Sequence, residues 1–189
     1  TPNMTPDGLT ARINYSPKAS QSNVGDKGVG GVVAGAAESG YGIMVEATDA
    51  ILGLPGLTLY AGISQTDQYV DDSAINGDKE EETFAIKYAA GAFTLGYQWS
   101  EEDLGRASNP KQYENDAWGV TFNVNDDLSI GYNHTESDES GASKADPEAD
   151  SLQVAYTMGG ATFRLAEVDV ENGGYSSAAT ADTQATILS

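Results

Sequence analysis

Apolar and polar side chains alternate along ten short segments of this chain. In residues 93–101, FTLGYQWSE, the odd positions carry large apolar or aromatic side chains up to Trp99, whereas the even positions are small or polar. Successive side chains of a β-strand point to opposite faces, so each segment would have one apolar and one polar face. We therefore predict strands at residues 9–16, 41–49, 57–65, 83–90, 93–101, 117–124, 128–135, 151–158, 161–169 and 183–189.

The connections between these segments alternate between short and long. The short ones, at residues 51–56, 91–92, 125–127 and 159–160, are rich in residues that tight turns favour. The long ones cover residues 17–40, 66–82, 102–116, 136–150 and 170–182, and several are strongly acidic. Short turns at one end and long loops at the other are typical of β-barrels of the outer membrane.

The length of the segments also fits a membrane. A strand of nine residues spans roughly 30 Å, and a tilt near 40° projects it to about 23 Å, close to the ~25 Å apolar band of such barrels. We predict an all-β fold, an antiparallel transmembrane β-barrel with about ten strands present, in a single domain over residues 1–189. The last pattern is only begun where the chain stops at residues 187–189, and residues 1–8 resemble a connection between strands, so we expect a domain that is incomplete at both ends.

Composition and charge exclude several classes of function. The formal net charge is −20, from 29 Asp and Glu against nine Lys and Arg, so binding to nucleic acid is not expected. There is no cysteine, which excludes disulfides and thiolate chemistry, and His134 is the one histidine, which excludes a His-rich metal site. No stretch approaches the roughly 20 apolar residues of a membrane helix.

Four passages of the sequence resemble a known family. They are LTARINYSPK at residues 9–18, NGDKEE at 76–81, FNVNDDLS at 122–129 and LQVAYTMGGATFRLAE at 152–167. With them the chain resembles the C-terminal portion of an alphaproteobacterial outer-membrane general porin of the marine type. The resemblance implies a barrel of about 16 strands with a water-filled lumen, normally a homotrimer in the bacterial outer membrane, in contact with lipid and lipopolysaccharide.

The resemblance further implies a function without a reaction or a resident cofactor, the passive diffusion of ions and small hydrophilic solutes. The inward constriction loop of the family would lie in the first half of the barrel. This chain departs from the family pattern in showing ten strands and in lacking a terminal aromatic residue.

Charged residues at the polar positions of the strands are candidates for lining a pore. If the apolar positions face lipid, Arg12, Glu46, Lys87 and Arg164 project into the lumen. Charged side chains there set the ion preference of a channel. The alternative is that Arg12, Lys87 and Arg164 are solvated lumen charges away from the narrowest point. Because the outer rim is strongly acidic, we expect a preference for cations.

The acidic loops offer oxygen ligands for hard cations. Asp71, Asp72, Glu80 and Glu82 could form a surface site for Ca²⁺ or Mg²⁺. A solvated acidic loop is the simpler interpretation, because Thr83 stands where an EF-hand loop beginning at Asp72 needs glutamate.

Two other classes of function stay open at this point. An acidic Ca²⁺-binding surface β-protein or adhesin module would have the same charge and would be soluble without detergent. A membrane-barrel hydrolase would use His134 with Ser129 or Ser137, but no nucleophile-elbow pattern is present, so we do not expect an enzyme.

Overall fold

The computed structural model describes residues 5–17, 37–69, 74–108, 112–140 and 145–189. Ten antiparallel strands form one sheet in which each strand pairs with its neighbours in sequence, in the order β1 to β10. The strands are β1 Leu9–Ser16, β2 Ala37–Thr48, β3 Leu57–Gln68, β4 Lys79–Ala90, β5 Phe93–Asp103, β6 Gln112–Asn123, β7 Leu128–Glu139, β8 Glu148–Met158, β9 Ala161–Glu171 and β10 Thr183–Leu188. The predicted all-β antiparallel fold is confirmed.

Within the described ranges, helical structure is confined to two short pieces. One turn of helix, α1 (Asp49–Leu52), follows β2, and a 3-10 turn at Ala179–Ala181 precedes β10. Among the described residues no helix is long and apolar enough to cross a membrane.

All ten predicted strands are present, and most are longer than the alternation predicts. β4 begins at Lys79 instead of residue 83, β6 begins at Gln112 instead of 117, and β7 runs to Glu139 instead of 135. These extra residues lie at the end of the sheet that carries the long loops, where both faces of a strand are polar. Backbone pairing continues there without an apolar face, so the sequence pattern ends before the strand does.

The opposite end of the sheet is closed by tight turns. Gly91 has φ 60°, and Gly159 and Gly160 have φ 58° and 86°, the left-handed conformations that two-residue hairpin turns require. Between α1 and β3, Gly56 has φ 81°, and a Cβ atom there would lie 2.0 Å from the carbonyl oxygen of Ala89. Glycine is therefore required at this close approach for two reasons, conformation and space.

The long connections at the other end are partly described. Residues 18–36, 70–73, 109–111 and 141–144 lie outside the described part of the chain. Two described pieces of neighbouring loops contact each other: the N–H groups of Asn76 and Gly77 donate to the carbonyl oxygen of Gly105 at 2.9 and 3.2 Å. The predicted separation of short turns and long loops between the two ends agrees with this topology.

The sheet leaves its apolar side chains open. The accessible surface of the whole chain is 12084 Å², against roughly 8,600 Å² expected for a soluble protein of 19.7 kDa. Ile13 is 78% exposed and Leu95 51%, and among the described residues Ile75 is the one buried apolar side chain. A single layer buries too little apolar surface to be stable in water, so this face needs a second apolar phase against it.

Candidate functional site

The register places most large apolar side chains of the strands on one face of the sheet, whereas Met44, Val168 and Ile187 lie on the other. Ile13 pairs with Ile43, Ile43 with Ile63, and Phe84 with Trp99. Residues paired across neighbouring strands project from the same face, so these side chains form a continuous band, the apolar face. The alternate residues are mainly Thr, Ser, Asn, Gln, Gly and charged residues, and they form the polar face on the other side.

All four predicted pore-lining residues lie on the polar face. The register makes Arg12 and Glu46 diagonal neighbours on β1 and β2. Lys87 lies on β4 opposite Thr58, two strands from Glu46, whereas Arg164 lies on β9, five strands farther. The structure thus brings Arg12 and Glu46 together and leaves Arg164 apart. Their role in ion preference stays a prediction.

An ion-pair cluster on the polar face adds to these residues. Lys79 Nζ lies 2.9 Å from Glu81 Oε1 and also pairs with Glu102 Oε1. The hydroxyl of Ser64 donates to the other carboxylate oxygen of Glu81 at 2.7 Å. Sequence reasoning missed this cluster because it assigned residues 66–82 to a loop. Residues 79–82 are all charged, so no alternation of apolar and polar side chains marks them as part of a strand.

An open concavity of about 1070 Å³ lies along β1 to β6 and is lined in part by polar-face residues. Arg12 lies on one side of it and the carboxylates of Glu81 and Glu102 lie on the other, with Gly42 and Gly62 on the strands between them. Opposite charges on two sides of a water-filled space produce a transverse field. Such a lining favours hydrated polar solutes over apolar ones.

Acidic side chains continue the apolar face towards the long loops. Glu82 pairs with Glu101, Glu101 with Glu114, and Glu114 with Asp138. Like charges directly opposite repel, and water and salt must screen them, which places this part of the strands outside hydrocarbon. The acidic belt comprises Glu80, Glu82, Glu101, Asp103, Glu114, Asp116, Glu136, Asp138, Glu148, Asp150, Glu167, Asp169 and Glu171.

Two of the four predicted metal ligands can be placed. Glu80 and Glu82 are exposed members of the acidic belt on β4, whereas Asp71 and Asp72 lie outside the described residues. In the described part of the chain, no group of three or more His, Asp or Glu residues is arranged to hold a metal ion. The site for Ca²⁺ or Mg²⁺ stays a prediction.

Aromatic side chains lie at both borders of the apolar face. Near the short turns, the rings of Phe93 and Phe122 stack with centroids 4.7 Å apart. Near the acidic belt, the Trp118 ring lies 5.4 Å from Tyr132 and 5.8 Å from His134. Aromatic girdles flank the apolar band of outer-membrane barrels at both interfaces, and these two groups have that placement.

The geometry around His134 argues against hydrolytic catalysis. Its Nδ1 lies 2.8 Å from Asp150 Oδ1, on the side of the sheet that carries the acidic belt. Ser129 and Ser137 each lie an odd number of residues from His134 on β7. Their side chains therefore project from the opposite face of the sheet, the polar face. A general base must lie within hydrogen-bond reach of its nucleophile, and His134 is on the wrong side of the sheet for both serines.

Comparisons with known proteins agree with this architecture. A family model described as Gram-negative porin matches residues 1–172. A solved complex of Salmonella typhi OmpF with daunomycin is similar over 96% of this chain and 56% of its own, at 14% identity and a TM-score of 0.66. A mutant of Rh. blastica porin is similar over 79% of this chain and 50% of its own, at 21% identity and a TM-score of 0.51.

A further porin structure, refined at 1.8 Å resolution, is similar over 88% of this chain and 53% of its own, at 14% identity and a TM-score of 0.58. The chain thus spans about half the length of the solved structures it matches. At these identities the likeness shows the fold alone. No curated protein matches the sequence. The family match covers most of the chain and agrees with the fold, so the chain belongs to the Gram-negative porin family.

Proposed function

We propose that the full-length protein forms a water-filled channel for the passive diffusion of ions and small hydrophilic solutes. The observation that carries this proposal is the division of one ten-stranded sheet into an open apolar face and a charged, polar face. Strands can cross hydrocarbon when the sheet satisfies its backbone groups by closing on itself, and the polar face then lines the lumen. A Gram-negative porin lies in the bacterial outer membrane, which agrees with the predicted localisation.

The charge distribution supports a preference for cations. The acidic belt and the cluster of Lys79, Glu81 and Glu102, which has one more negative than positive charge, lie at the end of the sheet with the long loops, where they concentrate cations at the entrance. Arg12, Lys87 and Arg164 oppose this effect farther along the wall. Such a channel discriminates by size and charge, with no reaction and no resident cofactor.

The proposed partners follow from the surfaces. The apolar face would contact outer-membrane lipid, and lipopolysaccharide would lie at the level of the acidic belt, where divalent cations could bridge its anionic groups. Assembly as a homotrimer, and placement among the marine alphaproteobacterial general porins, rest on the sequence passages at 9–18, 76–81, 122–129 and 152–167.

A soluble Ca²⁺-binding adhesin module is the less favoured alternative. Such a protein would cover its apolar side chains with a second layer, whereas Ile13, Leu95 and Phe163 are each more than half exposed on the apolar face. The acidity of the chain is explained equally well by the belt of a membrane barrel.

Conductance of the purified full-length protein in a planar lipid bilayer tests the proposal. We expect stepwise, voltage-independent increments of current at low applied voltage, and a reversal potential in a salt gradient that shows cations crossing more readily than anions. Protein that stays soluble without detergent and inserts no channels would contradict the porin function. Channels that prefer anions would contradict the cation preference alone.

A further inference from the structure

The connection between β9 and β10, residues 172–182, is held in place by hydrogen bonds, and we call it the tyrosine loop. The backbone N–H of Asn172 donates to Asp182 Oδ1 at 3.0 Å, and the N–H of Gly173 donates to the carbonyl oxygen of Ala181 at 3.2 Å. The side-chain amide of Asn172 donates to the carbonyl oxygen of Asp146 at 3.0 Å, in the loop between β7 and β8. The loop is therefore closed at its base and tied to its neighbour.

Tyr175 extends from this loop onto the polar face of the sheet. Its hydroxyl lies 2.7 Å from Ser137 Oγ on β7, and its ring centroid lies 5.7 Å from that of Tyr113 on β6. Ser137 and Tyr113 belong to the polar face, because they alternate with Asp138 and Glu114 of the acidic belt. Since β7 and β6 are two and three strands away from β9, the loop reaches across β8 on the lumen side.

The backbone of Tyr175 shows that this inward position is held by contacts. Tyr175 has φ 60°, in the left-handed region that bulky residues rarely adopt. A residue keeps such a conformation when its surroundings over-determine it. Here the Ser137 hydrogen bond and the Tyr113 ring supply the contacts, and both come from the wall of the sheet and not from the loop itself.

We propose that Tyr175 is a size-determining residue of the channel, carried by the tyrosine loop into the outer mouth of the lumen. The inference rests on the proposed channel function. The loop occupies lumen cross-section at the level of Tyr113 and Ser137 and narrows the path there. It acts on hydrated solutes by size, because pore width sets which solutes pass.

Single-channel recordings of the full-length protein test this role. Tyr175→Ala removes the ring and should raise conductance and admit larger neutral polyethylene glycols, whereas Tyr175→Phe keeps the ring against Tyr113 and should stay closer to the unaltered channel. Ser177→Ala changes an exposed residue of the same loop and is the matched control. Unchanged conductance in Tyr175→Ala would overturn the proposal, while a lack of channels in the unaltered protein would overturn the channel function on which it rests.

A labelling experiment keeps the proposal testable if Tyr175→Ala fails to insert. Residues 1–189 contain no cysteine, so Ser177→Cys adds one thiol to this segment at the tyrosine loop, and Glu114→Cys adds one on the outward acidic belt. A polymer-linked maleimide added on the side of the long loops should reduce the current through Ser177→Cys channels and leave Glu114→Cys channels unchanged. Equal currents after labelling of both variants would contradict an inward loop.

Discussion

Replacing Leu95 with arginine is expected to destabilise the membrane-inserted protein by about 2–4 kcal/mol. Leu95 is 51% exposed in the middle of the apolar face, between Tyr88 and Val120 of the neighbouring strands. An arginine at this depth would carry its charge into hydrocarbon. The charge would lose its hydration there without gaining an ion-pair partner, which costs free energy. The free energy of unfolding of the full-length protein from lipid vesicles, measured in urea, gives the effect.

Thr94→Arg is the matched control for this substitution. Thr94 precedes Leu95 on β5 and projects from the polar face, opposite Ala89 and Thr121. The same arginine would there enter a water-filled lumen, and we expect a change within about 0.5 kcal/mol, as for other solvated surface sites. An equal cost for both substitutions, or a larger cost at Thr94, would show that the two faces are wrongly assigned.

Neutralising the diagonal pair Arg12 and Glu46 should shift ion preference in opposite directions. Both side chains lie on the polar face at nearly the same depth, so the two substitutions differ mainly in the sign of the charge removed. A unit charge about 10 Å from a passing ion in water contributes about 0.4 kcal/mol, which corresponds to a roughly twofold change in permeability ratio. Arg12→Gln should raise, and Glu46→Gln should lower, the preference of the full-length channel for cations.

The reversal potential in a salt gradient measures this preference. Both shifts should shrink as ionic strength rises, because the Debye length falls from about 10 Å at 0.1 M to about 3 Å at 1 M salt. Shifts of the same sign in the two variants, or no shift in either at low salt, would place this pair outside the ion path.

Much of the wall of the barrel could be predicted from the sequence, because the alternation of side chains and the short turns are features of neighbouring residues in the chain. The alternation of Phe93, Leu95, Tyr97 and Trp99 with small and polar residues fixes which side chains share a face, and the short turns fix which strands pair. The four charged candidates were assigned to the polar face by parity alone, and the register agrees.

The outer ends of the strands could not be predicted in the same way. Beyond the apolar band, residues such as Glu80 and Glu81 are charged on both faces, and the pattern no longer distinguishes strand from loop. The cluster of Lys79, Glu81 and Glu102 was missed for this reason. Cross-strand pairing, which extends β4 and β5 past the membrane band, brings these residues together.

The position of Tyr175 depends on contacts that no local pattern encodes. Its hydrogen-bond partner Ser137 lies 38 residues earlier in the chain, on a strand that is not adjacent in sequence to the tyrosine loop. A single tyrosine among Gly, Ser and Ala in residues 172–182 carries no periodic signal. The tyrosine loop can reach Ser137 because β6, β7, β8 and β9 lie side by side in this order in the sheet.

We expect each strand to present alternate residues to water and to lipid within the membrane. Single cysteines along β5 of the full-length protein in vesicles test this alternation, since residues 1–189 contain no native cysteine. A water-soluble thiol reagent should modify cysteine at Thr94, Gly96 and Gln98, whereas only a lipid-soluble reagent should modify it at Leu95 and Tyr97. Equal modification of both sets by the water-soluble reagent, or protection of the first set, would show that the strand does not alternate between water and lipid.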